Sequence, residues 1–521
     1  MPETHHKVTR AAGINSAATG VCRVLGYVRD AVVAYAFGTT WVSSAFTVAY
    51  AIPNTFRRLF GEGAMASSFV PLFAEELHHN GREQAFALAN VVLTLLASFL
   101  TALSVAVAAA CLVLAWVLPV PARVHLTFLL TCVTIPYVVL ICVTALLSAM
   151  LNTLGHFTRP ALAPVYLNLS MIAGALVGVR FIAPPMERQI YALAIAVIVG
   201  GALQLYLQVP ELRRRGFRFT PRFDWRHPFV RRVLTLMGPA LIGAGASQIN
   251  ILIDRFMAMG LNDRGAAVLT NADRLVELPL GMFGIALATA VLPTMSFFAA
   301  KNDHKGIVVA LGFALRHIMF IMAPAALGLI LIGEPLVRLL FERGRFDAAS
   351  TYYTSRALYM YAPGLIGFSL AKIIVPTFYA RKDTKTPVRV GICVLALNVI
   401  LNYTLMQFME ERGLALSSSI CAYVNVIVLM VILRRQCGPL GLREVFASCV
   451  RIALLTVLMG VTVWVAGTWM SQVTAADTLM GRMVRVIVPL TCGMAVYLTV
   501  AYATGVREMH DLLAAFVRRR H

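Results

Sequence analysis

AFTVAYAIPNTFRRLFGEGAMASSFVPLF (residues 45–73) lies without gaps on AVLTNADRLVELPLGMFGIALATAVLPTM (267–295), 222 residues further along the chain. The alignment superposes Ala64 on Ala286, Ala66 on Ala288 and Pro71 on Pro293. Beyond it, Pro136 precedes Pro363, and Pro160 precedes Pro387, by 227 residues. Each match is weak alone; their order and nearly constant spacing are what mark an internal repeat. The repeat relates the first six apolar segments to the next six. An even number of spans per half keeps both halves in the same orientation, so their pseudo-twofold axis runs along the membrane normal. Parallel-repeat transporters of this kind hold substrate between the halves near the bilayer midplane.

The rest of the chain agrees with a membrane setting. Of 521 residues, 59% are hydrophobic and only 13% charged, and the mean hydropathy is +0.77. A soluble domain so poor in charge could not cover its own surface. Apolar segments run from 11–37 and 41–73 through to 444–470 and 483–505, about fourteen in all, each long enough to span the hydrocarbon core as a helix. The expected fold is therefore an all-α integral membrane protein. It divides into an N-terminal lobe over 1–215 (spans 1–6), a C-terminal lobe over 216–438 (spans 7–12), and spans 13 and 14 with a tail over 439–521. Met1–Arg10 is polar and the apolar run behind it carries arginines, unlike a cleavable signal peptide.

Lysine and arginine crowd alternate loops. One set holds Arg82, Arg159, eight arginines within 211–232, Lys301 with Lys305, Arg381 with Lys382 and Lys385, and Arg434 with Arg435 and Arg443. The other set is poorer: Gly38-Thr39-Thr40 has none, Arg123, Arg264 and Arg412 stand alone, and Arg180 with Arg188 and Arg482 with Arg485 are pairs. Arg338, Arg343 and Arg345 are the exception, and a short surface helix is expected there over Leu336–Phe341. This bias predicts that both termini are cytoplasmic. It also accounts for the net charge of +21, which otherwise would suggest nucleic-acid binding. The nine cysteines are scattered without a CxxC pair, and the eleven histidines form no metal pattern. No phosphate loop, dinucleotide fingerprint or HExxH is present. Asn168-Leu-Ser170 has the glycosylation pattern but sits in an apolar run.

Charges inside spans are expensive and usually face a cavity. Span 1 carries Arg23, Arg29 and Asp30, with Arg23 and Asp30 on one face and Arg29 turned away. Span 2 carries Asn54, Arg57, Arg58 and Glu62, with Glu62 one turn beyond Arg58 and able to pair with it. Pro53, Gly61 and Gly63 would bend this helix and free backbone groups to line a cavity. Span 8 carries Asp273, Arg274 and Glu277, followed by Pro279 and Gly281. Ion pairs stapling helices together would use the same residues. As a set, five arginines against four acids in repeat-related segments favour a water-filled cavity with surplus positive charge. The planar fork of arginine suits phosphate oxygens, so an anionic, phosphate-bearing substrate is expected.

At these residues the sequence resembles the MurJ/MviN family of lipid II flippases, in the multidrug/oligosaccharidyl-lipid/polysaccharide exporter superfamily. The matching stretches are RVLGYVRDAVVA (23–34), AFTVAYAIPNTFRRLFGEGAMASSFVPLFAE (45–75), PALAPVYLNLSMI (160–172), ADRLVELPLGMFGIALATAVLP (272–293) and KIIVPTFYARKDTKTPV (372–388). The resemblance implies movement of an undecaprenyl-diphosphate-linked disaccharide-pentapeptide from the cytoplasmic to the periplasmic leaflet of the bacterial inner membrane, for peptidoglycan synthesis. It implies alternating access by a monomer, with no catalysed reaction and with lipid II and membrane lipids as partners. By motif, the family's essential arginines fall on Arg23, Arg29, Arg57 and Arg274. Its acids fall on Glu62, Asp273 and Glu277. Ser44 departs from the pattern, since the family often has an aspartate there, which puts any gating or proton role of that acid in doubt.

Asp254 in NILIDRF, with Asn398 and Asn402 in NVILNYT and Ser418 beyond them, offers oxygen ligands in a region where some family members bind sodium. Interhelical hydrogen bonding is the commoner use of such residues. Sodium or the membrane potential is the expected source of coupling; no other cofactor is implied. Two rivals share the fold: a flippase for another lipid-linked oligosaccharide, and a cation-coupled drug exporter, which would need a carboxylate-dominated cavity. A membrane glycosyltransferase or phosphatase would need a catalytic cluster on a sizeable loop, whereas the longest polar connection, 211–232, is dominated by arginine.

Overall fold

A computed structural model describes residues 2–59, 65–474 and 478–518, and every regular element among them is helical. The first eight helices are α1 (Pro2–Phe37), α2 (Trp41–Phe56), α3 (Met65–His79), α4 (Gly81–Val117), α5 (Ala122–Thr134), α6 (Tyr137–Thr153), α7 (Thr158–Phe181) and α8 (Met186–Arg214). The next eight repeat them: α9 (Pro228–Leu261), α10 (Gly265–Pro279), α11 (Ile285–Ala300), α12 (His304–Phe341), α13 (Ala348–Tyr361), α14 (Gly364–Ala380), α15 (Lys385–Met409) and α16 (Glu411–Cys437). Three more close the described chain: α17 (Leu442–Val473), α18 (Leu479–Ala503) and α19 (Arg507–Arg518).

The prolines set the repeat's breaks. Pro136 and Pro363 stand immediately before α6 and α14. Each lacks the N–H that would continue the preceding helix, and α13 and α14 meet at 46°. The segments that opened the repeat also share a device that their letters do not announce. A π-helical turn follows α2 at 57–59, and another joins α10 to α11 at Leu280–Gly284. Both widen the helix next to a proline and loosen its hydrogen-bond ladder where π-turns commonly mark function.

Among the described residues ten helical segments are long and apolar enough to cross a membrane, or eleven if α13 and α14 count as one bent span. The expected fourteen is not reached by this measure: α1, the α2–α3 segment and α9 are not among them. The short surface helix expected over Leu336–Phe341 does not form. Those residues are the last turns of α12, which runs through Pro324 and Pro335 and buries Val337 and Phe341.

The chain forms two compact units, Met1–Ala267 and Val268–His521. In the first, α7 packs along α8 and α1 along α7. The first of these contacts depends on small residues. A Cβ at Gly174 would collide with Ala196, and one at Gly178 with the Gln189 carbonyl, the close approach that membrane helices use in place of a hydrophobic drive. Phe37, Phe69, Phe73 and Tyr137 are fully buried in this unit's core. Although α9 opens the second repeat, it packs on α2 and α3 in the first unit. In the second unit α17 and α18 lie together against α12, and the Tyr497 hydroxyl donates to the Phe320 carbonyl at 2.8 Å. Trp116, Trp464 and Trp469 stand exposed on the outside of their helices, as lipid-facing residues do.

Candidate functional site

In the first unit the cationic residues come from two helices with different neighbours. Arg29 is the most enclosed, at 9% exposure. Its Nε and Nη2 donate to Asp30 Oδ1 at 2.9 and 2.6 Å, and its Nη1 donates to Asn168 Oδ1 on α7 at 3.0 Å. Asn168 in turn donates to the Cys22 carbonyl at 3.3 Å. The guanidinium is thus oriented from both sides, by an acid of its own helix and by an amide of the neighbour. Arg23 lies two turns earlier on α1 and is exposed.

Arg57 caps α2 and opens the π-turn. Its Nε donates to Asn54 Oδ1 at 3.0 Å, one turn back, so a neutral amide helps to orient it. Arg58 follows it in the turn, half-buried. Glu62, expected to pair with Arg58, lies outside the described residues.

In the second unit α10 buries Ala272, Leu275 and Val276. Asp273, Arg274 and Glu277 lie on its half-buried side. Arg274 Nη1 donates to Glu277 Oε2 at 2.9 Å, with both side chains about one-third exposed at 32% and 34%. Here the partner is a carboxylate. Arg274 lies six residues and Glu277 three before the Leu280–Gly284 π-turn, whereas Arg57 opens the π-turn of the first unit.

The candidate sodium ligands fall in both units. Asp254 in α9 is 8% exposed and accepts from Asn250 Nδ2 at 3.4 Å. In the second unit Asn402 donates to Asn398 Oδ1 at 2.9 Å, and Asn398 donates to Ser417 Oγ at 3.2 Å. Ser417 on α16 is the hydroxyl bonded to Asn398, and Ser418 Oγ also donates to the Leu414 carbonyl on its own helix. Among the described residues no group of three or more His, Cys, Asp or Glu side chains could hold a metal ion.

Ser44 is fully enclosed. Its Oγ donates to the Asp263 carbonyl at 2.8 Å and accepts from Ala267 N–H at 3.3 Å. A hydroxyl thus ties the start of α2 to the loop that enters α10. Arg123 grips the same loop, through Asp263 Oδ1 at 3.3 Å and the Gly260 carbonyl at 3.0 Å.

One residue and one pairing went unpredicted. Asn168 had drawn attention only as part of a glycosylation pattern; the cost of an amide in an apolar helix is the signal that finds it. Asp30 was expected to share a face with Arg23 while Arg29 turned away, because neighbours in a helix do not face one another. The length of the arginine side chain lets it fold back on Asp30 instead.

Broken, arginine-bearing helices in a duplicated all-helical scaffold define a multi-pass membrane transporter for an anionic substrate. The fold agrees. It superposes on a lipid II flippase MurJ in an inward closed conformation with a TM-score of 0.77 at 24% identity, covering 94% of this chain and 99% of that one. It also superposes on an inward-facing multidrug resistance MATE family transporter of the MOP superfamily, with a TM-score of 0.66 at 16% identity, covering 80% and 95%. The model of the lipid II flippase MurJ family matches residues 33–488. A probable lipid II flippase MurJ of Vibrio cholerae is 36% identical over 98% of both chains. The lipid II flippase MurJ of Burkholderia cenocepacia is 38% identical over 86% of this chain and 88% of its own. The chain belongs to the MurJ family.

Proposed function

We propose that this protein flips lipid II, the undecaprenyl-diphosphate-linked peptidoglycan precursor, from the cytoplasmic to the periplasmic leaflet, with both termini in the cytoplasm. No bond is made or broken in the transport step. The observation that carries the reading is the paired device in the two repeats, an arginine held near a π-turn. Arg57 and Arg274 are the direct ligands of the pyrophosphate, with Arg23, Arg29 and Arg58 completing the cationic surface. A fork of two N–H donors matches two phosphate oxygens, and broken helices leave backbone groups available to line a cavity. Asp30, Asn54, Glu62, Asp273 and Glu277 position the guanidiniums or take their charge when substrate has left. Asp254 in the first unit, and Asn398 with Asn402 in the second, each offer buried oxygens to a coupling sodium ion.

The test is depletion of this protein followed by counting lipid II on each leaflet. Lipid II should accumulate on the cytoplasmic leaflet and vanish from the periplasmic one. Unchanged periplasmic lipid II would overturn the assignment.

A further inference from the structure

The connection from α8 to α9 is the most basic stretch of the chain, and its shape is defined rather than loose. Phe217 is buried edge-on against Phe86, with centroids 5.4 Å apart. Asn90 of α4 donates to the Arg218 carbonyl at 2.9 Å and accepts from Thr220 N–H at 3.3 Å. The Arg222 N–H donates to Thr94 Oγ at 3.1 Å. Asn90 and Thr94 are both buried on α4. A segment without helix or strand is thus fastened by its backbone to a membrane helix.

What it presents outward alternates in kind. Phe219, Phe223 and Trp225 are 52%, 73% and 74% exposed, and Arg218, Arg222 and Arg226 between them are exposed as well. Arg226 lies over the Trp225 ring at 5.5 Å. The segment 217–226 contains a single acid, Asp224. Three large aromatics facing water within so short a stretch would be costly and prone to association. Beside a bilayer the arrangement makes sense. Aromatic rings settle at the level of the headgroups, arginine stems lie along apolar surface with their charges outward, and basic segments next to spans attract anionic lipid.

We propose that 217–226 is an interfacial clasp for anionic phospholipid. Phe219, Phe223 and Trp225 enter the cytoplasmic leaflet's interface, and Arg218, Arg222 and Arg226 bind the phosphates of acidic headgroups there. The occupant is bilayer lipid, not the transported precursor. The clasp fixes the connection between the two repeats to the membrane surface.

The test uses the full chain in nanodiscs of phosphatidylcholine carrying a minor share of brominated lipid. The Trp225 signal is the difference between wild type and Trp225→Phe. Brominated phosphatidylglycerol should quench it more strongly than the same share of brominated phosphatidylcholine, and raised salt should narrow the difference, since screening weakens headgroup attraction. Quenching by aqueous iodide in place of brominated lipid would overturn the clasp and point to a soluble acidic partner; equal quenching by the two lipids would overturn its anionic preference. In a second arm, combined Arg218→Ala, Arg222→Ala and Arg226→Ala should lose the phosphatidylglycerol that co-purifies with wild type, while folding persists because the fastening uses backbone atoms. Undiminished phosphatidylglycerol would overturn the proposal. Should that variant not fold, the quenching arm decides alone.

Discussion

Each repeat sets an arginine near a π-turn, at positions that do not align, and the two arginines meet different partners. After α2, Arg57 is held by the neutral amide of Asn54; in α10, Arg274 is held by the carboxylate of Glu277. An amide orients a guanidinium without cancelling its charge, whereas a carboxylate does both. Arg274 must exchange one anionic partner for another when it meets an anion, whereas the Asn54 bond asks no such exchange of Arg57. We propose that the two copies divide the electrostatic work, Arg57 binding the anion and Arg274 resetting against Glu277.

Complementation of a depleted strain breaks or sharpens this contrast most severely. Arg57→Ala should abolish growth with the protein still inserted, since removing an intramembrane charge lowers insertion cost. Arg57→Lys should restore part of it at best, because the ammonium keeps the charge but not the fork. Arg274→Ala should also fail. Glu277→Ala should retain more function than Arg274→Ala, with membrane levels checked by blotting. If the double change Arg274→Ala with Glu277→Ala rescues what Arg274→Ala destroys, Arg274 is a helix staple and the division of labour is wrong.

Arg29 combines both kinds of partner, and replacing the neutral one measures what orientation is worth. Asn168→Leu keeps the volume but leaves a buried N–H without its acceptor, a cost of about 1–3 kcal/mol. The unfolding temperature should drop and transport should weaken, while insertion stays normal. An unchanged unfolding temperature would show that water replaces the amide.

Asp254 is the complementary case, an acid held by the amide of Asn250. If it ligates sodium, sodium should raise the unfolding temperature of wild type over potassium, because an ion that binds only the folded state stabilises it by mass action. Asp254→Ala should erase that shift. A wild type indifferent to the two cations would remove the ion site.

The smallest effect concerns an acid held chiefly by a backbone N–H. Asp347 accepts from Ser350 N–H at 2.8 Å and caps α13, which holds its carboxyl below the ordinary range, chiefly through that backbone bond. A depressed folded value means the cap's stabilisation is in place above the ordinary aspartate range and is lost as pH falls through the folded value. Asp347→Ala should cost about 1 kcal/mol. Thermal unfolding at neutral pH should show the loss, and the gap from wild type should close in acid.

The sequence exposed the repeat because proline leaves a mark at each break: Pro136 and Pro363 occupy the same place in both halves. It exposed Arg57, Arg274 and Arg29 because charge in an apolar helix is conspicuous. The π-turns were not legible, since widening by one residue per turn depends on how neighbouring helices pack and leaves no letter pattern of its own. Asn168 was misread because it was weighed by a surface motif and not by the cost of its burial, and the bond between Asn398 and Ser417 rests on a rotation of α16 that spacing does not fix.

The central claim is that Arg57 meets the pyrophosphate. The direct measurement is the affinity of the purified full-length protein for lipid II and for its monophosphate-linked analogue, in wild type and in Arg57→Ala. A charge-assisted bond contributes about 1.5–3 kcal/mol, roughly tenfold or more in Kd. The account predicts that wild type prefers the diphosphate by such a factor and that Arg57→Ala loses the preference. Equal diphosphate affinity in the two proteins would contradict it.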